Sequence, residues 1–210
     1  MSRILRVPLF PLPGAILFPR SQLPLHIFEP RYREMVRDAM DGAGRIAMIQ
    51  PHRIDDDNNA PLYSVGCIGE IVGVEELDEG RYNIVLLGSN RFKLIRETDI
   101  DAPYRCAEVD IEAFDDDEPE PLAIIERAEV EREARKLGDA MGLAVDWEAV
   151  TRLDDEMLVN AIAQVAPFDT GAKQALLEEV SLAGRADLVV QLMQFQRLAP
   201  GGADVGQTLQ

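Results

Sequence analysis

The feature that most constrains the fold is a change in hydrophobic periodicity at an acidic, proline-containing segment, Phe114–Pro121. Four consecutive acidic residues followed by two prolines are typical of a solvated linker rather than a core. Before this segment the apolar residues form short or alternating runs, which predicts strands; after it they recur every three or four residues, which predicts helices. We therefore expect a β-rich domain, a linker, a helical region and a flexible tail, at 1–114, 115–121, 122–198 and 199–210.

The N-terminal region is predicted to hold one helix and six or seven short, mostly antiparallel strands. Pro30 opens the helix, which covers Arg31–Met40, and Gly42 ends it. Two glycine-containing turns, at 78–80 and 88–90, are expected to separate three strands. One strand contains three glycines, which indicates bulges or the curvature of a sheet that curls into a barrel; they are Gly66, Gly69 and Gly73. The predicted class is a small barrel-like α+β domain.

The C-terminal region shows helical spacing throughout. Asp154 stands directly before one apolar helical face and is a predicted N-cap residue. The apolar faces of these helices need one another for burial, which predicts a helical bundle. The expected helices cover Leu122–Gly138, Asp146–Arg152, Asp155–Val165, Thr170–Val180 and Arg185–Leu198.

Charge limits the classes of partner. The chain has 21 Lys and Arg against 38 Asp and Glu, a net charge of −17. Such a surface repels phosphate backbones and anionic lipid, so nucleic acid is an unfavourable partner and no membrane interaction is expected. The longest uncharged run, Val7–Pro19, is too short for a transmembrane helix and is interrupted by prolines. We expect a cytoplasmic protein whose two cysteines, Cys67 and Cys106, are reduced.

Motifs of the common catalytic sites are missing from the sequence. It has no phosphate-binding G-x-x-x-x-G-K-[ST], no G-x-S-x-G, no H-E-x-x-H and no C-x-x-C. Nothing in the sequence indicates that His26 and Cys67 lie close enough to form a nucleophile pair. The two lysine–serine pairs that are near in sequence, Ser89 with Lys93 and Lys173 with Ser181, are not predicted to come into contact. Residues 55–59 resemble the start of a calcium loop, but Ala60 and Gly66 occupy two of its essential positions. We predict no enzyme activity, no cofactor and no metal.

The remaining candidate is the proline-punctuated apolar segment Phe10–Pro19. Prolines remove backbone donors, so this segment is a poor member of a regular ladder. Its apolar side chains Leu12, Ile16 and Phe18 are candidates to line an exposed groove that binds polypeptide. The alternative is that the same side chains close one end of the barrel.

Several linked segments resemble one known family. Residues 7–12 (VPLFPL), 23–32 (LPLHIFEPRY), 62–71 (LYSVGCIGEI) and 88–92 (GSNRF) are similar to the N-terminal, substrate-binding domain of the ATP-dependent Lon proteases. Short helical segments within 161–163, 173–178 and 185–188 are similar to the same domain. The resemblance covers about residues 5–198. It implies a PUA-like β-barrel followed by an α-helical bundle.

The resemblance also implies a function. In this family the domain is implicated in the recognition of protein substrates and in self-association. We therefore expect a non-catalytic module, in a standalone form without the ATPase and protease domains, that binds unfolded or exposed apolar polypeptide segments and serves as an adaptor or regulator of proteolysis. The alternative is a PUA-like binder of a small molecule or of RNA, which a clustered arginine face would favour; the candidates are Arg31, Arg33, Arg37 and Arg53.

Overall fold

The computed structural model of the chain describes residues 3–53, 59–114, 116 and 121–198. The chain divides into two compact units, Met1–Glu118 and Pro119–Gln210. We refer to them as the β unit and the helical unit. Together they form an α+β protein with one mixed sheet and six α-helices among the described residues.

The described residues of the β unit form six strands and one α-helix. Helix α1 begins at a proline, as predicted, because the missing N–H of Pro30 has no intrahelical partner at that position in any case. Its buried face, which includes Tyr32, Met35 and Val36, has the 3/4 spacing seen in the sequence. The elements are β1 (Ile4–Pro11), β2 (Gln22–Ile27), α1 (Pro30–Asp41), β3 (Arg45–Pro51), β4 (Leu62–Glu76), β5 (Tyr82–Thr98) and β6 (Arg105–Asp110), with a short 3-10 turn at Asp78–Gly80.

The sheet closes on itself. The strand order is β2-β5-β4-β3-β1-β6, and β5 also pairs with β6, so five strands form a ring to which β2 is attached. The β1–β3 pair is parallel and the other pairs are antiparallel. An apolar cluster built around Leu9, Ile49, Phe92 and Val109 forms the core of this unit.

The turn predicted at residues 88–90 is wrong, because β5 is one continuous strand. Cys67 of β4 pairs with Arg91 of β5, and Gly69 pairs with Gly88. Three residues of β4 therefore lie opposite four residues of β5. The extra residue is absorbed as a bulge, which bends the strand without ending it. A second irregularity, next to Gly73, places an extra residue in β4. The glycine pattern therefore predicted the bulges correctly and the turn incorrectly.

One buried ion pair anchors the segment that follows β6. Arg91 and Asp116 are both buried, with Nη2 of Arg91 2.8 Å from Oδ1 of Asp116. The backbone N–H of Arg91 also donates to Oδ2 of Asp116 at 2.7 Å. Arg20 donates to the backbone carbonyl of Asp116 at 2.6 Å, and the guanidinium of Arg91 lies 4.4 Å from the ring centre of Phe114. The arginine of the GSNRF segment is thus a structural residue.

Residues 121–198, the described part of the helical unit, form five α-helices. Asp154 is the predicted N-cap: its side chain accepts a hydrogen bond from the backbone N–H of Met157 at 2.8 Å. Asp146 and Asp169 cap the two neighbouring helices in the same way. The helices are α2 (Ile124–Met141), α3 (Trp147–Thr151), α4 (Asp155–Val165), α5 (Thr170–Glu178) and α6 (Leu182–Leu198).

Buried polar side chains hold the helices of this unit together. Arg185 on α6 donates to Oδ1 of Asn160 on α4 at 2.9 Å and to the carbonyl of Leu176 on α5 at 3.1 Å. The guanidinium thereby satisfies a carbonyl near the end of α5 that has no intrahelical partner. Glu133 on α2 is also buried and is contacted by Lys136 at 2.7 Å and by Arg197 of α6 at 3.1 Å.

Three sequence predictions concern residues that are mostly outside the described part of the chain. They are the calcium-like loop at 55–59, of which only Asn59 is described, the linker at 115–121, of which Asp116 and Pro121 are described, and the tail at 199–210. Asp116 is buried, so the expectation of a solvated segment is wrong at that residue, because its carboxylate pairs with Arg91. Both cysteines are free and buried. Among the described helices, none has the length and apolar character needed to cross a membrane.

Candidate functional site

The segment predicted to bind polypeptide is largely part of the core. Ile16 is 3% exposed and Phe18 is fully buried, whereas Leu12 is half-buried. The expected exposure of Ile16 and Phe18 is therefore wrong. The physical reason lies in the backbone hydrogen bonds of the segment: Leu12 donates to the carbonyl of Ile49 at 3.2 Å, and Gly14 donates to the side chain of Gln50 at 3.2 Å.

Two strand glycines let this segment approach the sheet. A Cβ atom on Gly88 would lie 2.0 Å from the carbonyl oxygen of Phe18, and one on Gly69 would lie 3.0 Å from the side chain of Leu17. Side chains at these positions would exclude the segment, so Phe18 can be buried only because they are absent. The apolar side chains at 16–18 are buried in the interior of the β unit. This agrees with the alternative given in the sequence analysis, in which they close one end of the barrel.

An open groove lies elsewhere, on the outer face of β2, β5 and β4. Its volume is about 530 Å³. The strand register explains its shape: Pro24, Val85 and Gly73 lie side by side across the three strands and form an apolar row. Since Gly73 has no side chain, the surface of the sheet has a depression at that end of the row. We call this site the outer groove; it is lined by Pro24, Leu25, His26, Gly73, Val74, Glu75, Asn83, Ile84 and Val85.

A row of hydrogen-bonded polar side chains borders the apolar row. His26, Asn83 and Glu75 occupy adjacent register positions on β2, β5 and β4. Nδ1 of His26 lies 2.8 Å from Oδ1 of Asn83, and Nδ2 of Asn83 donates to Oε2 of Glu75 at 2.8 Å. Because an amide oxygen only accepts, Nδ1 of His26 is the donor. The ring of Phe28, which is 60% exposed, stacks on His26 at 6.0 Å and extends the apolar surface.

The free edge of β2 is poorly suited to the addition of another strand. The N–H of Gly88 donates to the carbonyl of Ser21 at 2.9 Å, and paired residues alternate between bonded and non-bonded in an antiparallel ladder. The backbone groups of Gln22, Pro24 and His26 therefore point away from β5, towards the free edge. Pro24 has no N–H, so the row of backbone donors along the free edge of β2 is interrupted at its central position. The outer face of β2 is therefore a better candidate for a binding surface than this edge.

A smaller pocket of about 230 Å³ lies in the β unit near the end of α1 and the start of β3. The hydroxyl of Tyr104 donates to Oδ2 of Asp38 at 2.7 Å. Burial, followed by this hydrogen bond to the carboxylate, raises the pKa of Tyr104 well above its ordinary range, so the phenol stays protonated. Arg6 and Arg45 contribute to the lining. This pocket is polar at its rim and apolar at Leu5, Val7 and Ala39.

The described residues do not assemble a nucleophile or a metal site. His26 bonds to Asn83, and Cys67 is fully buried with its Sγ directed to a backbone carbonyl at 3.6 Å. Burial raises the pKa of the Cys106 thiol and lowers the pKa of Lys173, whose Nζ donates to the carbonyl of Gln164 at 2.9 Å. Across the described parts of the chain, no group of three or more His, Cys, Asp or Glu side chains is arranged to hold a metal ion.

Sequence reasoning missed the outer groove. The alternation of β2 and β5 was visible, but the register that brings Pro24, Val85 and Gly73 into one row depends on strand pairing distant in sequence. The only local signal was Gly73 itself, which was interpreted as a bulge. A glycine in an otherwise alternating strand also leaves a depression in the face of the sheet, because it has no side chain there.

Comparison with known proteins identifies a matching family model and several relatives of this chain. The family model of the ATP-dependent protease La (LON) substrate-binding domain matches residues 6–194. The Lon protease of Anaeromyxobacter dehalogenans is 28% identical over 197 residues, which are 91% of this chain and 23% of that protein. Lon protease 2 of Myxococcus xanthus is 27% identical over 197 residues, 91% of this chain and 24% of that protein. The chain thus spans about a quarter of the length of these relatives.

Solved structures show the same fold. The N-terminal domain of a Mycobacterium avium complex Lon protease aligns with a TM-score of 0.66 and 20% identity, covering 90% of this chain and 98% of that one. The Lon N-terminal domain protein from Xanthomonas campestris aligns with a TM-score of 0.66 and 21% identity, covering 89% of this chain and 98% of that one. From the extent of the family match, this chain belongs to the LON substrate-binding domain family.

Proposed function

We propose that the chain is a non-catalytic module that binds exposed apolar segments of other polypeptides in the outer groove. The observation that carries the proposal is the open groove of about 530 Å³, with an apolar row at its centre and Phe28 beside it. The family description, a substrate-binding domain, supports a polypeptide partner. An adaptor or regulator of proteolysis is the role that the Lon relatives suggest.

The groove is sized for one or two anchoring side chains. Complete burial of a large apolar side chain contributes about 1.5–3 kcal/mol, while ordering a flexible segment costs part of that gain. A single segment should therefore bind weakly, with a Kd no tighter than about 0.1 mM. Weak binding to many segments is the behaviour expected of a module that detects unfolded chains. Leu12, which keeps some exposed surface, is proposed as a secondary contact.

The experiment is a titration of the protein with labelled, permanently unfolded polypeptide. Gly73→Val is the main variant: a Cβ at this position would be 3.5 Å from Val85, an ordinary contact, so an alanine is accommodated. The two further methyl groups of valine would fill the low end of the apolar row. We expect saturable binding by the natural sequence and by Gly73→Ala, and binding at least fivefold weaker for Gly73→Val.

A second pair of variants controls for general surface hydrophobicity. Val85→Ser removes an apolar side chain from the groove, whereas Ile95→Ser removes one that is 47% exposed on the same strand outside the groove. Only Val85→Ser should weaken binding. Equal affinity of Gly73→Val and the natural sequence, or no binding to a diverse set of unfolded chains, would show that the outer groove is not a polypeptide site.

The second candidate function, a PUA-like binder of a small molecule, is favoured by the pocket of about 230 Å³. Arg6 and Arg45 on one hand, and Asp38 with Tyr104 on the other, suit a small ligand that carries both acidic and basic groups. A thermal-shift screen with such compounds would test it, with Arg45→Gln as the variant expected to abolish any shift. RNA has less support, because the net charge of −17 repels a phosphate backbone.

A further inference from the structure

The carboxylate in the lining of the outer groove is that of Glu75. Glu70, Glu97 and Glu108 each form an ion pair with an arginine on a neighbouring strand. Within the described part of the chain, Glu75 has no cationic side chain within ion-pair distance. Its contact is the neutral amide of Asn83, which donates to Oε2. Glu75 therefore brings an uncompensated negative charge to the groove.

The hydrogen bonds hold this carboxylate in place. His26 donates to Asn83, and Asn83 donates to Glu75, so the orientation of the carboxylate is set by two side chains from two other strands. Oε2 is engaged in this chain of hydrogen bonds, and Oε1 is the oxygen that remains for a bound partner. A carboxylate fixed in this way loses less side-chain entropy when it binds a cation than a freely rotating one does.

The charge around this end of the groove is also negative. Glu76, Asp78 and Glu79 follow Glu75 along the chain into the turn between β4 and β5, against two arginines: Arg81, and Arg33 of α1, whose guanidinium packs beside Gly80 of the turn. The guanidinium of Arg81 donates to the backbone carbonyl of Asp78 at 3.2 Å. A cationic group that approaches this end is attracted, and an anionic group is repelled.

From this charge pattern we infer the kind of segment that the outer groove selects, an inference that rests on the proposed function. The occupant is an extended segment with an apolar residue and a lysine or arginine two positions away. The apolar side chain lies on the Pro24, Val85 and Gly73 row, and the cation pairs with Glu75. The two rows are two residues apart along each strand, about 6.6 Å, which equals the distance between side chains on the same face of an extended peptide.

Charge complementarity also disfavours a second copy of this chain as the occupant. A second copy of this chain would bring a net charge of −17 towards an acidic groove end, and like charges disfavour such an association. A cationic segment of another protein has the opposite sign. The predicted occupant is therefore a basic, partly apolar segment of a different polypeptide.

The experiment compares four short peptides that contain one leucine and differ only in the identity or the position of one other residue. The peptides carry lysine two positions from the leucine, lysine one position from it, glutamine two positions from it, or glutamate two positions from it. We expect the first peptide to bind about two- to fivefold more tightly than the glutamine peptide, the scale of an exposed ion pair, and the glutamate peptide to bind most weakly. The advantage of lysine should vanish at about 1 M salt, where screening acts over about 3 Å.

The variant that isolates the charge is Glu75→Gln, because glutamine keeps an oxygen to accept from Asn83. It should reduce the affinity for the lysine peptide to that for the glutamine peptide and leave the latter unchanged. Asp187→Asn, at an exposed position on α6, changes the net charge by the same amount and should retain the preference.

The outcomes separate this inference from the proposed function. If all four peptides bind equally and Gly73→Val abolishes binding, the groove is a polypeptide site and the charge selectivity is wrong. If the preference for lysine persists in Glu75→Gln, or is lost equally in Asp187→Asn, the assignment to Glu75 is wrong. If none of the peptides binds, the proposed function fails together with the inference.

Discussion

The β unit and the helical unit bury charged side chains in different ways. Among the described residues, the β unit buries one arginine and one aspartate, Arg91 and Asp116, and these two neutralise each other directly. The helical unit buries Glu133, Glu156 and Arg185. Its Glu133 is contacted by partly exposed cations, and its Arg185 donates mainly to neutral oxygens.

This difference follows from how each architecture satisfies its backbone. Strands that close into a ring satisfy their carbonyls and amides along the ladder, so few side chains are needed inside and the core is apolar. Short helices leave unsatisfied groups at each end, and the helical unit uses capping aspartates and the guanidinium of Arg185 for them. The β unit should therefore depend on a few exact contacts, and the helical unit on many weaker polar ones.

The largest effect is expected for Arg91→Met. It leaves the carboxylate of Asp116 buried without its cation, and loss of one partner of a buried ion pair costs about 3–5 kcal/mol of unfolding free energy. The matched variant in the helical unit, Arg185→Met, leaves neutral acceptors unsatisfied, which costs about 1–3 kcal/mol. Urea denaturation followed by hydrogen exchange in each unit measures both costs.

The double variant Arg91→Met with Asp116→Leu is the control for this first prediction. Removal of both charges should recover much of the lost stability, because apolar pairs often replace a buried ion pair without loss. If Arg91→Met costs no more than Arg185→Met, the proposed contrast between the two units is incorrect.

The next effect concerns glycines at close contacts. A Cβ on Gly88 in the β unit would lie 2.0 Å from the backbone oxygen of Phe18, and a backbone atom moves only if the segment moves. A Cβ on Gly138 in the helical unit would lie 3.2 Å from the Trp147 ring, which can shift. We expect Gly88→Ala to cost about 1–3 kcal/mol or more, and Gly138→Ala to cost less, since alanine gains about 1 kcal/mol of helix propensity.

Thermal denaturation of the two alanine variants measures this second difference. Gly73→Ala is the internal control in the β unit, because its Cβ would make only an ordinary contact with Val85 at 3.5 Å. If Gly88→Ala is as stable as Gly73→Ala, the close approach of the Phe18 segment to the sheet does not constrain the β unit.

Much of the fold was predictable because it depends on local signals. The helix that follows Pro30 and the N-cap at Asp154 were identified from residue type and spacing alone. The interruption predicted at Gly88 was wrong because a bulge and a turn use the same glycine, and only pairing with β4 distinguishes them. Local patterns therefore predict elements well and predict their continuity across a bulge poorly.

The candidate site was less predictable than the fold. The sequence left two positions open for Phe18 and Ile16, an exposed groove or one end of the barrel. Both are buried, because the missing side chains of Gly69 and Gly88 make room for that segment against the sheet. The outer groove arises from the register of three strands, which brings together residues about 50 to 60 positions apart. Neither fact can be obtained from the sequence of one segment.

A smaller effect is expected for a helix cap. Asp154→Ala removes the hydrogen bond from the side chain to the backbone N–H of Met157 and should lower the unfolding free energy by about 1 kcal/mol. Asp154→Ser retains an acceptor and should restore most of that loss. Hydrogen exchange should show the loss first in α4, and no change at the start of α4 would mean that this cap is not among the polar contacts that stabilise the helical unit.

The smallest effect is a pH dependence confined to the helical unit. The side chain of Arg127, and then the backbone N–H of Leu122, lower the pKa of Asp155 by hydrogen bonding to its carboxylate. A carboxylate with a lower pKa in the folded state contributes stability above its unfolded pKa, near 4, and that contribution is lost as the pH falls through the folded value. Because both partners are partly exposed, the contribution should be below about 1 kcal/mol. Urea denaturation at pH 7, 4 and 3 should show a shallower acid loss for Asp155→Asn than for the natural sequence, and equal slopes would contradict the assignment to Asp155.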